Sequence, residues 1–583
     1  MIPALRSLLS SGFALTAVMA AAGAAELPGG YFQLMSSGLK QVETRLAAER
    51  GANLESLEKT PGWKHFGYSI LAPAVLFARR DPANAHYHDA KMLALAVRIG
   101  DLLASENEKG KFALRLDSDW DTYTWLEAYR LLDTELGSER RDRWKRAILE
   151  NITPLAADAA ERVDFPWYQS PYIGTSPNHY AQWAELLFLA GRVFDKPEWT
   201  SLGSTILHRF AVDQAPDGYW GEHSGAGPTI GYDHLTLSAV AVFAEFSQDP
   251  TVLEALRRST DFHMHFTYPD GGPVELVNNR NRYWGGRSWA HFAFTHFPDG
   301  RRYAEFLAQF FDPDKLSMED LGRLSQDALY FHAGESAPIP QDQERYVYRM
   351  SIPAGIRKSG AWVVSLSGIV ETQAVNNQYY LDRQANLSVF HSKLGLIVSG
   401  ANSKLQPELA TFREKLGDAV YSMPLSSRLE MTDAQDRLSL AYNTFFSTLQ
   451  IEPASEQRLK FHFVINGKGA PPAEAFATLQ LVLKAGEVLE TGAGRTLTLG
   501  TERVELGPEA IGGWIRHHGW TLAVDPTARI TWPVYPYNPY ANALETSLEH
   551  AVGTLSIPLR LRSVEDRFVR PREQVIDFTL SAQ

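Results

Sequence analysis

An amide, several imidazoles, a phenol and a group of guanidiniums recur between Asn178 and Arg287. The segment SPNHYAQW sets Asn178 and His179 just ahead of an apolar helical run. PDGYWGEHSGAGPTIGYDHLTL then supplies Trp220, Glu222, His223, Tyr232 and His234. YPDGGPVELVNNRNRYWGGRSW adds Glu275, Asn279, Arg280, Arg282 and Arg287. Amide and imidazolium groups neutralise a carboxylate, and guanidiniums grip one. A phenol, with an ordinary pKa of about 10, becomes a usable base when neighbouring cations lower that value. The inventory suits a site that holds a carboxylated sugar and moves a proton.

Such groups need a scaffold. From about residue 30 to 330, apolar residues recur at spacings of three and four, as in DAKMLALAVRIGDLLASEN, WLEAYRLLDTEL and YAQWAELLFLAGRVF. That is the helical period. Roughly ten or more helices, paired and without a repeat of fixed length, predict an α/α toroid and not a solenoid. After Pro338-Ile339-Pro340 the texture changes to short runs rich in Val, Ile, Thr and aromatics, such as GAWVVSLSG and LKFHFVING. These read as antiparallel strands of a β-sandwich. The expected fold class is α+β and multidomain. An incomplete (α/α) toroid spans 25–335 and carries the site; an antiparallel β-sandwich spans 345–583.

Residues 1–24 read as a signal peptide: Arg6 in the n-region, an apolar run from Leu8 to Ala22, and the small-residue cleavage site Ala22-Gly23-Ala24. The expected location is periplasmic or secreted. No cysteine occurs anywhere in the 583 residues, which removes disulfides and thiolate metal sites. The formal net charge of −12 argues against a nucleic-acid or anionic-membrane binder. An anionic substrate would therefore have to be met by cations concentrated locally. Aromatics reach 11%, which serves sugar stacking or simply a large core.

The order of the motifs resembles that of polysaccharide lyases that join an α/α toroid to antiparallel sheets. In the hyaluronate, chondroitin AC and xanthan lyases an Asn lies at a helix start. A loop with Asp-Gly-x-x-x-x-His follows, and then a Tyr beside a Gly. Asn178, Asp217-Gly218-Tyr219-Trp220-Gly221-Glu222-His223 and Gly231-Tyr232 have that form. Arg280, Arg282 and Arg287 match the downstream arginines that grip substrate. The heparinase II/III and exo-alginate lyase branch is similar through Asn178-His179, Glu222-His223-Ser224 and Pro269-Asp270-Gly271-Gly272-Pro273. Its His-x-His-x-Asp strand signature is not matched. The nearest stretch, Asp382-Arg383-Gln384-Ala385-Asn386-Leu387-Ser388, has no histidine.

The resemblance implies cleavage of a uronate glycan by β-elimination, with no cofactor. The C5 proton lies next to an ionised carboxylate, so its removal requires that negative charge be stabilised. Asn178 and His223 take the neutralising role, with His179 and His234 as further imidazoles. Tyr232 is base and then acid. Arg280, Arg282, Arg287, His234, Glu222 and Trp220 contact the substrate, an anionic poly- or oligosaccharide.

Each residue also has a purely structural use. Asn178 can cap a helix, His179 can make a core contact, Tyr232 can pack at a helix start, and the arginines can form a solvated loop. A rival reading is an inverting glycoside hydrolase that pairs Asp119 or Asp121 with Glu222 or Glu275; a third is a binding protein without turnover. His263/His265 and His517-His518 lack partners at metal-binding spacing, so no metal is expected. Neither nucleic acid nor membrane insertion is expected, and the oligomeric state has no sequence signal.

Overall fold

The computed structural model describes residues 26–48, 53–110, 118–164, 176–221, 227–278, 288–370, 385–401, 406–469, 472–538, 541, 543–561 and 573–583. The expected leader at 1–24, and Glu222, His223, Asn279, Arg280, Arg282 and Arg287, lie outside the described residues.

Thirteen α-helices are described between Gly29 and Tyr330. Several start where the chain chemistry says they should. Pro stands in the first turn of Pro177–Val193, Pro197–Val212, Pro250–His265 and Pro298–Ala308, where a missing N–H costs no hydrogen bond. Asp89 and Asp249 cap their helices through their side chains, and Ser317 with Asp320 forms a capping box.

The inner helices run in one direction, and the cross-contacts show it. Along Ser118–Leu132 and Met318–Tyr330, Arg323 lies over the ring of Trp120, Gln326 Nε2 donates to Tyr123 Oη at 2.9 Å, and Tyr330 Oη donates to Glu127 Oε1. Helix Ile230–Ser247 follows suit. Ser238 Oγ donates to Gln326 Oε1 at 2.8 Å, and Glu245 meets His332 just beyond Tyr330. Helix Pro177–Val193 sets His179 against Asp119 and Glu185 against Gln326. The four helices thus present their N-terminal ends to one mouth. Helices Ser138–Arg162, Pro197–Val212 and Pro250–His265 return the chain between them. Packing between helices is close: a Cβ on Gly100 would stand 2.1 Å from the Trp144 ring.

The C-terminal half holds an eleven-stranded and a nine-stranded sheet, antiparallel in every described pairing. Strands such as Phe445–Ile451 alternate buried and more exposed residues, the signature of one face turned inward. Phe461 and Phe578 stack there at 4.8 Å. Trp362–Ser367 and Leu387–His391 are instead buried at every residue, because both faces are covered. Val364 and Val389 belong to the core of the sheets. Val363 and Phe390 pack with Phe262, Phe266 and Tyr268 of the helical half.

A buried carboxylate fastens this joint. Glu275 Oε1 accepts from Ser388 Oγ at 2.7 Å and from the Gly400 amide at 2.8 Å, while Tyr268 Oη donates to Oε2 at 2.9 Å. Burial raises the Glu275 carboxyl and these donors hold it down. Glu275 is thereby committed to structure, which takes it away from the rival pairing of hydrolase carboxylates. Among the described residues no helix is long and apolar enough to cross a membrane.

Candidate active site

The mouth of the toroid is built from helix starts. Asp119 lies in the first turn of Ser118–Leu132, where its Oδ1 accepts from the Trp120 amide. Its Oδ2 lies 2.9 Å from His179 Nδ1. Asp119 is buried and His179 is partly open to solvent. The pair therefore resembles a carboxylate that orients an imidazole for chemistry. Ser176 occupies the N-cap position of the neighbouring helix, so Asn178 is inside the first turn and is not the cap. Asn178 is buried, and its Oδ1 finds no hydrogen-bond partner among the described residues. A buried polar atom left so costs about 1–3 kcal/mol, more than helix formation asks of this position.

Arg323 is a cation at the same end that periodicity alone does not reveal. Its guanidinium carbon stands 3.5 Å from the Trp120 ring centre and 5.6 Å from that of Trp289. The side chain is buried; Nε and Nη1 have no hydrogen-bond partner among the described residues, and Glu319 is 3.8 Å away. Tyr68 packs edge-on against Trp120 at 4.4 Å. Its phenol is pushed well up by burial and then by the Asp121 and Glu319 carboxylates, with Arg323 pulling the other way. Gly67 is required beside it, since a Cβ there would sit 2.2 Å from Asp121 Oδ1.

Below the mouth a buried polar layer closes the toroid. Tyr123, Glu127, Glu185, Ser238, Gln326 and Tyr330 meet there. Burial raises the Glu185 carboxyl, and Arg323 opposes the rise. This layer serves as a level. Asn178 stands seven residues before Glu185, about 10 Å up its helix, and Tyr232 stands six before Ser238, about 9 Å up its own. Asn178, His179 and Tyr232 thus reach a common height.

Tyr232 opens the helix Ile230–Ser247, and the chain around it draws the flanks of two other motifs together. Gly221 pairs with Pro228 across the segment that contains Glu222 and His223. Thr229 pairs with Asn278, two residues before Arg280. Trp220 and His234, expected at the substrate, are enclosed instead. His234 stacks on His263 at 4.0 Å. His263 Nε2 lies 2.6 Å from Asp233 Oδ2, and Asp233 Oδ1 accepts from the Trp220 amide at 2.6 Å. The Trp220 indole donates to the Phe210 carbonyl at 2.8 Å. Both residues hold the Trp220–Gly221 segment in place.

The histidine pairs noted in sequence have other duties. His265 Nδ1 is 2.7 Å from the Asp261 carbonyl. His517 accepts the Lys484 amide and bonds the Val488 carbonyl, and His518 faces Glu487. Sequence reading missed Arg323 and the pairing of Asp119 with His179. One signal was present: Arg323, Gln326, Asp327 and Tyr330 form a polar stripe at helical spacing, in a helix that the fold buries at every residue but Glu319.

In sequence the chain matches no family model and none of the curated proteins. In structure it is similar to the chondroitin AC lyase of Streptomyces coelicolor A3, solved in complex with chondroitin sulphate. The TM-score is 0.52 at 12% identity, over 96% of this chain and 80% of that one. It is also similar to heparinase III, with a TM-score of 0.51 at 11% identity, over 88% of this chain and 76% of that one. The chain has the fold of these polysaccharide lyases, a helical toroid joined to antiparallel sheets.

Proposed function

We propose that this protein is a polysaccharide lyase that cleaves a uronate-containing glycan by β-elimination at the mouth of the toroid. The observation that carries the reading is the Asp119–His179 pair beside Asn178, at the same height as Tyr232, on this fold. The substrate carboxylate meets the Asn178 amide, the imidazole of His179 and the positive ends of four aligned helices. Arg323 adds a buried cation, and His223, Arg280, Arg282 and Arg287 extend the grip.

Tyr232 removes the C5 proton. The electron pair left on C5 is held as carboxylate charge and then forms the C4=C5 bond as the C4–O bond breaks. Tyr232, a phenolate when it takes the proton, returns it to the leaving glycosidic oxygen and ends as the phenolate it began. Asp119 keeps the His179 Nδ1–H in place throughout. The leader-like residues 1–24 support export to the periplasm or beyond.

The test is an ultraviolet scan of the mature protein on a panel of uronic-acid polysaccharides, beside a reducing-end assay. New conjugated double bonds on one polymer, lost in Tyr232→Phe, are the expected result. New reducing ends without that absorbance would replace this reading with hydrolysis.

A further inference from the structure

Three metal-ligating side chains from three elements meet far from the mouth. Glu245 comes from the last turn of Ile230–Ser247, His296 from the turn after helix His291–Phe294, and His332 from the connection after Tyr330. Glu245 Oε1 lies 2.8 Å from His332 Nε2 and 3.1 Å from His296 Nε2. The two imidazole rings are 4.1 Å apart, and one ligand atom from each of the three residues lies within 4.8 Å of the others. His296 Nε2 is buried, yet among the described residues it completes no hydrogen bond.

Two imidazoles and a carboxylate facing one point are the ligand set of a divalent zinc-class cation, with a fourth position open to water. Tetrahedral coordination at about 2.1 Å spaces ligand atoms about 3.4 Å apart, so the carboxylate need retreat from each nitrogen by only tenths of an ångström. The backbone is already braced. The His332 amide donates to Thr295 Oγ1 at 3.1 Å, and Arg301 Nη1 donates to the Thr295 carbonyl at 2.8 Å.

We infer that Glu245, His296 and His332 bind one zinc-class cation. It clips the end of an inner helix to the connection that leads into the sheet half. Glu245 follows Tyr232 by thirteen residues on the same helix, roughly 20 Å, so the ion acts on the scaffold and not on the substrate.

The test uses full-length, tag-free protein stripped with a chelator. Zinc titration by calorimetry, cobalt substitution followed in the visible spectrum, and thermal melting are read together. The expected result is one equivalent of zinc, low-coordinate cobalt bands, and a metal-dependent rise in melting temperature. His332→Ala and Glu245→Gln should each lose at least tenfold in affinity. His332 is the most exposed of the three, so its variant should fold, as circular dichroism would verify. Absence of stoichiometric zinc in the wild type, or undiminished binding in both folded variants, would overturn the inference.

Discussion

His179 Nδ1 and Asp119 Oδ2, sixty positions apart in the chain, lie 2.9 Å from each other at the starts of two neighbouring inner helices. The contact fixes the plane of the imidazole and which of its nitrogens faces the carboxylate. Asp119→Asn should lower kcat by about 10²-fold with little change in KM, because the neutral amide no longer sets the ring. The double variant Asp119→Asn/His179→Ala should be no worse than His179→Ala alone. Steady-state kinetics on the polymer that gives ultraviolet absorbance checks both statements, and strict additivity would contradict the pairing.

Tyr232→Phe keeps the ring and removes the proton carrier. Turnover should fall by about 10²–10⁴-fold, with the melting temperature unchanged. Substrate binding, measured on the inactive variant by calorimetry, should survive.

Arg323 combines charge with aromatic contact on Trp120 and Trp289. Arg323→Met should raise KM about tenfold and flatten its dependence on ionic strength, since one cation leaves the mouth. Arg323→Lys should restore the salt dependence but recover the affinity only partly, because an ammonium lacks the planar face. KM measured from low to high salt in the three proteins separates these outcomes.

Asp327 offers a stability test apart from activity. Burial pushes its carboxyl from 3.8 up to about 7, against the Phe292 amide, which donates to it. The folded state therefore keeps the proton where the unfolded chain releases it. Stability from this group is present below pH 4 and is lost as pH rises towards 7. Asp327→Asn should gain on the wild type across that window, by at most about 4 kcal/mol, and hold the gain above it. His291, 3.8 Å away, is pushed down to about 4 by burial and is common to both proteins. Melting temperatures of the two proteins from pH 4 to 8 give the difference directly.

Most of the architecture was legible because it rests on period. Spacings of three and four gave the helices, and Val- and aromatic-rich runs gave the sheets. Pro177 and Pro197 stand in the first turns of their helices, where a missing N–H costs nothing. The site was legible only in part. Asn178, His179 and Tyr232 reach one level because their helices are parallel, and motif order hinted at that. Burial is a property of the assembled fold, so Trp220 and His234 read as substrate contacts although they are packed inside. Arg323, 144 residues after His179, comes to the same end only through the ring closure that brings the last helix beside the helix of Asp119. No local pattern encodes that closure.

The carboxylate joint bears on how the chain is made. Glu275 is synthesised well before two of its three donors, since Ser388 follows by 113 positions and Gly400 by 125. Until they arrive, the face around Phe262, Phe266 and Tyr268 has nothing to cover it. A growing or truncated chain that stops near residue 340 thus displays an apolar patch around a carboxylate that keeps Tyr268 alone of its three donors. The helical half is then a client for whatever holds unfinished chains soluble, and the sheets complete it as an internal chaperone would.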